Sequence, residues 1–130
     1  MNNIITTGQT LFVAGTDTDV GKTYISAALV AQALQQSKGP VTYYKPIQTG
    51  VSTNSDSDAH TVQKVAEAYQ QTSTQLICGT GYSFETPASP LVADEKKEIR
   101  IDKIRTDIQE CQNRNYDGKN TVILESAGGL

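Results

Sequence analysis

The stretch "LFVAGTDTDVGKTYISAALVAQAL", Leu11 to Leu34, decides how this chain is read. It begins with a short apolar run, passes through a Gly- and Asp-rich turn, and ends in a segment with helical periodicity. The turn almost spells a phosphate-binding loop, a Gly and four residues before Gly-Lys-Thr/Ser. Here five residues separate Gly15 from Gly21-Lys22-Thr23, and Thr16 stands where the pattern has Gly. The extra residue lies on the N-terminal side, so it need not disturb the donors that matter. Gly21 lets the backbone approach phosphate oxygens with no Cβ in the way. The amides from Val20 to Tyr24 lie at a helix start, where free N–H groups and the dipole favour an anion. Lys22 can reach the β- and γ-phosphates, and Thr23 offers a hydroxyl to Mg²⁺. The bland alternative is a Gly turn between a strand and its packed helix, with Lys22 solvated.

Working outward, the pattern alternates. "TLFVAG" (Thr10–Gly15) reads as a strand ending in Gly. "KTYISAALVAQALQQSKG" (Lys22–Gly39) reads as a helix with Ile25, Leu29, Val30 and Ala33 on one face and Gly39 as its stop. "VTYYKP" (Val41–Pro46) is a second strand, which Pro46 is expected to end. A polar loop follows, then a helix with Val62, Val65, Ala66 and Tyr69 inward. The stretch from Ser73 to Glu98 reads as irregular, with one short strand near Leu76–Cys78. "IDKIRTDIQECQ" places Ile101, Ile104, Ile108 and Cys111 on one helical face, and "NTVILE" (Asn120–Glu125) is an apolar strand closed by an acid. Strand, Gly-rich turn, helix and strand make a βαβ unit. That unit requires a parallel sheet with helices on its faces. The expectation is a single P-loop α/β domain over residues 1–130. Its ligands would sit at the carboxyl ends of the strands. The last strand is expected to leave an unpaired edge, an aggregation risk.

Composition narrows the partners. The chain has 130 residues, 11 Lys+Arg against 14 Asp+Glu and a net charge of −3. No basic stripe is present, so nucleic-acid binding lacks electrostatic support. The longest N-terminal apolar run is "LFVA", so neither a signal peptide nor a membrane span is expected. Cys78 and Cys111 match no metal or redox spacing and read as reduced packing residues of a cytosolic protein.

Three further positions complete the candidate site. Glu125 ends the run Val122-Ile123-Leu124, as a Walker B acid would; the alternative is an exposed strand-end glutamate. Asp58 and Asp56 both precede a helix and both could be caps, and the pattern does not choose between them. Lys45 follows a strand and would point toward the phosphate loop, unless it is a surface lysine. His60, the single histidine, is expected to be exposed, and one of Tyr43 and Tyr44 to lie in the core.

"GTDTDVGKT", "YKPIQTG", "SDSDA", "PASP" and "LESAGG", in this order and spacing, resemble the dethiobiotin synthetase family. The longer phosphate loop is itself a feature of that family. Partition-type P-loop ATPases carry a lysine five places before the loop lysine, where this chain has Asp17.

The resemblance implies an ATP- and Mg²⁺-dependent ligase that closes a ureido ring on 7,8-diaminononanoate with CO₂, in biotin synthesis. It implies that Lys22 and Lys45 are catalytic and that Thr23, Asp58 and Glu125 hold Mg²⁺, which selects Asp58 over Asp56. ATP would meet Asp19, Val20, Gly21, Lys22, Thr23, Tyr24, Asp58, Glu125, Ser126, Ala127 and Gly128. Thr18 and Thr49 would hydrogen-bond the substrate or its carbamate. A cytoplasmic homodimer with small-molecule substrates is implied.

Two positions depart from the family pattern: Ser126 replaces a Gly, and Leu91 stands where many members have His. The resemblance also implies that later strands, the adenine-reading segment and much of a dimer surface belong beyond Leu130. A non-catalytic nucleotide-binding fragment, or another P-loop amidoligase or ATPase, stays open beside this reading.

Overall fold

The structure, a computed structural model, describes residues 8–15, 21–36, 39–52, 57–69, 76–114 and 120–127. The elements run β1 (Thr10–Val13), α1 (Lys22–Gln36), β2 (Val41–Thr49), α2 (Asp58–Tyr69), β3 (Leu76–Phe84), a short α3 (Pro90–Ala93), α4 (Ile101–Gln112) and β4 (Thr121–Glu125). The strands form one four-stranded sheet in the order β1-β4-β2-β3. Every pairing is parallel. The strand–helix alternation dictates this, because a chain returning through a helix re-enters the sheet in the same direction.

β4, last in sequence, lies inside the sheet between β1 and β2, with Leu11 opposite Ile123 and Tyr43 opposite Ile123 on the other side. The open edge expected at the last strand is therefore absent; the edges are β1 and β3. All five β4 residues are buried, which accounts for the run Val122-Ile123-Leu124 without alternation.

Alternation along the strands divides the core in two. Val13, Val41, Tyr43 and Ile123 face α1 and α2 and pack on Ala27, Val30, Ala33, Leu34, Ala59, Val62 and Ala66. Tyr44, Val122 and Leu124 face the opposite way, against Cys111 and Ile108 of α4. Helices thus cover both faces, as expected.

Several boundaries move. The buried stripe of α1 is Lys22, Ser26, Ala27, Val30, Ala33 and Leu34, whereas Ile25 is 54% exposed. Small side chains let the helix lie close to the sheet and to α2. β2 does not end at Pro46. Its ladder to β4 stops at Tyr44 while that to β3 continues to Thr49. Beyond Tyr44 the strand is flanked on one side only, where a residue without an N–H is tolerated.

β3 is nine residues long rather than three. Gly79 and Gly81, in the stretch expected to be irregular, lie inside it. A Cβ on Gly81 would come 2.5 Å from the Pro46 carbonyl oxygen. The glycine therefore permits a close backbone approach instead of a turn. On α4, Cys111 is buried but Ile101 is 65% exposed, so the expected apolar face is covered only toward its C-terminal end. Both Tyr43 and Tyr44 are buried, where one was expected to be. Cys78 and Cys111 are free thiols, and burial pushes the Cys78 thiol up to about 12. No helix among the described residues is long and apolar enough to cross a membrane.

Candidate active site

The carboxyl ends of β2 and β4 and the first turn of α1 surround one cavity of about 520 Å³. Gly21, with φ +90, brings the chain into α1, and its carbonyl accepts the first helical N–H, from Ile25 at 3.0 Å. A β-carbon at that φ would be strained, so the Gly belongs to the turn itself. Lys22 is only 8% exposed and lines the cavity beside Thr23 and the exposed Tyr24.

Three charged side chains meet at the floor. Lys45 Nζ donates to Glu125 Oε2 at 3.0 Å and also pairs with Asp58 Oδ2. Glu125 is completely buried and Lys45 is 5% exposed, so the surface alternatives for both do not hold. Thr23 Oγ1 donates to the same Glu125 Oε2 at 3.2 Å. The opposite oxygen, Oε1, accepts the Tyr43 hydroxyl at 3.1 Å. Burial, and then the negative charge of Glu125, raise the Tyr43 phenol well above its ordinary value and keep it a donor.

The start of α2 explains why Asp58 is available. Ser57 Oγ accepts the His60 N–H at 3.2 Å and so caps the helix. Capping therefore falls to Ser57 rather than to Asp58, whose carboxylate is left for Lys45. Gln48 Oε1 accepts the Asp58 N–H at 3.0 Å, and Gln48 Nε2 donates to the Thr49 carbonyl at 3.1 Å. One buried side chain of β2 thus fixes where α2 begins. His60, expected to be exposed, is half-buried in the first turn of that helix.

Lys22, Thr23, Tyr24, Lys45, Thr49, Asp58, Glu125 and Ala127 are therefore brought to one cavity, with Gly21 at its rim. Ser126 is not part of the lining; its N–H donates to the Val13 carbonyl at 3.0 Å. The strain that a Ser would carry at positive φ does not arise. Among described non-glycine residues only Lys97 has a positive φ. Leu91 lies on α3, 91% exposed. Thr18, Asp19, Val20 and Gly128, and likewise Asp56, lie outside the described residues.

The sequence reading missed Tyr43 and Gln48, which hold the site's acids, and the lining residues Gly50, Val51 and Thr61. Tyr43 had a signal, since it stands two positions before Lys45 on a strand and so shares its face. Gln48 sits within "YKPIQTG", but nothing in the sequence marks its contact with Asp58, ten positions away.

The donor set suits a hard divalent ion. Two carboxylates and a hydroxyl converge on one place, and a cation, the Lys45 ammonium, already lies between Asp58 and Glu125. Among the described residues no group of three or more His, Cys, Asp or Glu side chains gathers. Mg²⁺ beside phosphates needs no more than one or two carboxylates, its other ligands being phosphate oxygens and water.

The model of the AAA domain matches residues 9–130. This chain belongs to the AAA domain family. Three curated proteins similar to this chain share one name. It is 38% identical over 122 residues to the ATP-dependent dethiobiotin synthetase BioD of Hydrogenobaculum sp., covering 92% of this chain and 50% of that protein. It is 37% identical to the protein of the same name from Lysinibacillus sphaericus, covering 94% of this chain and 51% of the relative. For that of Sulfurovum sp. the identity is 34%, over 94% of this chain and 56% of the relative. The resemblance read from the motifs therefore extends over nearly all of this AAA domain chain. The chain spans about half the length of the curated relatives it matches.

Proposed function

We propose that this chain binds MgATP and serves the ring closure of 7,8-diaminononanoate with CO₂ to dethiobiotin, ADP and phosphate, as part of a cytoplasmic homodimer. The observation that carries the reading is Lys45. It is a buried lysine on β2 that shares Glu125 Oε2 with Thr23 of the phosphate-loop helix and is held between two acids that line its cavity. A plain phosphate-binding loop has no need of this second cation.

In this reading a substrate amine adds to CO₂ and loses a proton to give a carbamate. A carbamate oxygen attacks the γ-phosphorus as the bond to ADP breaks. The second amine then attacks the carbamate carbon and gives up a proton as the bond to the phosphate oxygen breaks, so phosphate leaves with the ring closed. The protein needs little covalent chemistry; positioning and charge stabilisation do most of the work. Lys22 and the amides that follow Gly21 hold the phosphates. Lys45 stands where carbamate and γ-phosphoryl charge meet, and Thr49 supplies a hydroxyl to the substrate. Thr23, Asp58 and Glu125 would hold Mg²⁺, which supplies charge neutralisation at the phosphate oxygens.

Calorimetric titration with MgATP tests the loop. Lys22→Ala should lose most of the affinity, and equal affinity in the two proteins would remove the phosphate-binding assignment. Lys45 separates ligase from ATPase. In a protein of the relatives' length that closes the ring, Lys45→Gln should bind MgATP nearly normally. It should lose about two orders of magnitude of ring closure, the size expected when one electrostatic stabiliser is removed. Unimpaired ring closure in that variant would leave only nucleotide binding.

A further inference from the structure

Glu125 has two carboxylate oxygens in different surroundings. Oε2 faces the cavity, where Lys45 Nζ and Thr23 Oγ1 donate to it at 3.0 and 3.2 Å. Oε1 faces the sheet and accepts the Tyr43 hydroxyl at 3.1 Å. Tyr43 is fully buried, on the same strand face as Lys45, and packed into the core between the sheet and the two helices. Its ring cannot swing away without disturbing that core, so one carboxylate oxygen is permanently occupied.

We propose that Tyr43 is a specificity-determining residue: by holding Oε1 of Glu125 it confines that acid to a single oxygen toward a cation in the cavity and so favours Mg²⁺ over Ca²⁺. The argument rests on the reading above, in which Glu125 is a metal ligand. Mg²⁺ keeps a small octahedral shell and takes carboxylates through one oxygen. Ca²⁺ accepts six to eight ligands and readily takes a carboxylate through both. A carboxylate free to rotate offers both modes; one anchored by a buried phenol offers only the first. Hydrogen-bond partners of a metal-binding acid or histidine tune metal affinity in this way without touching the ion. The motif resemblance assigned Tyr43 no role.

The test is calorimetric titration of the nucleotide-free chain with MgCl₂ and with CaCl₂. Wild type, Tyr43→Phe and Glu125→Gln are compared, each checked by circular dichroism. Tyr43→Phe should move the ratio of the two affinities toward Ca²⁺ by about tenfold, the lower end of what an outer partner of a metal ligand contributes. Replacing Tyr43 with 4-aminophenylalanine, which keeps a donor at the ring tip, should restore the wild-type ratio. If Tyr43→Phe does not fold, Tyr43→Leu takes its place in the same measurement, because an apolar side chain without a donor also frees Oε1. An unchanged ratio in a folded variant, with Glu125→Gln still weakening both ions, overturns the role of Tyr43 and leaves the metal site standing. If Glu125→Gln leaves both affinities unchanged, the metal-site reading falls and this inference falls with it.

Discussion

Tyr43 and Tyr44 are neighbours on β2, both buried, and each donates its hydroxyl to a carboxylate. Tyr43 reaches Glu125 across the sheet at 3.1 Å, under α1 and α2. Tyr44 reaches Asp107 of α4 at 2.6 Å, on the other face. Burial separates the two. Glu125 has no exposure, and it is drawn into a cluster with Lys45, Asp58 and Thr23. The Asp107 side chain keeps 24% of its surface in solvent and pairs with Lys103, itself 48% exposed. The same hydrogen bond therefore serves a site on one face and helix docking on the other. What decides is how much charge must be balanced away from water.

The largest effect expected is at the buried cluster. Lys45→Gln leaves the Asp58 and Glu125 carboxylates facing each other without their cation. Removing one partner of a buried pair costs about 3 kcal/mol. On the reading proposed above, Mg²⁺ should return part of that stability, because binding to the folded state alone stabilises it by mass action. Urea denaturation with and without millimolar MgCl₂ measures both quantities. A variant that loses stability but gains none from Mg²⁺ would break the assignment of this face as a cation site.

Tyr44→Phe should cost about 1 kcal/mol, the net worth of one hydrogen bond to a partly solvated partner. It should leave MgATP affinity unchanged. A change in MgATP affinity would show that the two faces are coupled, contrary to the contrast drawn between the two tyrosines.

The smallest effect is at Asp107. The Lys103 ammonium, and next the Tyr44 hydroxyl, hold its carboxyl below the ordinary value of 3.8. A depressed carboxylate contributes stability above its unfolded pKa and loses that contribution as pH falls through the folded value. Asp107→Asn should therefore be less stable than wild type at pH 7 by a few tenths of a kcal/mol, as suits an exposed pair. The difference should close as pH falls below about 4. Thermal melts across pH 2–7 follow it, and a gap that widens in acid would reverse the sign argued here.

The sequence made the parallel α/β fold legible, and it named several residues that share one cavity, because those rest on local signals. An apolar run before "VGKT", a helix after it and an acid at the end of "VILE" each read from a few adjacent residues. What was not legible depended on distant parts of the chain. The stretch around Gly81 looked irregular because the backbone that this glycine approaches, at Pro46, is far away in sequence. Pro46 looked like a strand end because nothing local told that β4 had already finished beside it. Tyr43 looked like an ordinary core residue because its acid is 82 positions distant. Asp58 could not be told from a capping residue until Ser57 was seen to cap α2.

The position of β4 bears on how the chain is made. β1 and β2 do not pair with each other; each pairs with β4, which is translated after both. Until residues 121–125 leave the ribosome, β1 has no neighbour in the sheet, and β2 has only β3. Glu125 arrives with that same strand, so Lys45 has no buried counter-charge until the sheet is joined. Assembly of the sheet and of the charged cluster is one late event over a long sequence separation, the kind of contact that slows folding. Its product is the joined sheet and the Glu125 side of the candidate site together, so a chain that stops before β4 keeps the α1–α2 layer over β2 but has β1 unpaired and Lys45 without Glu125.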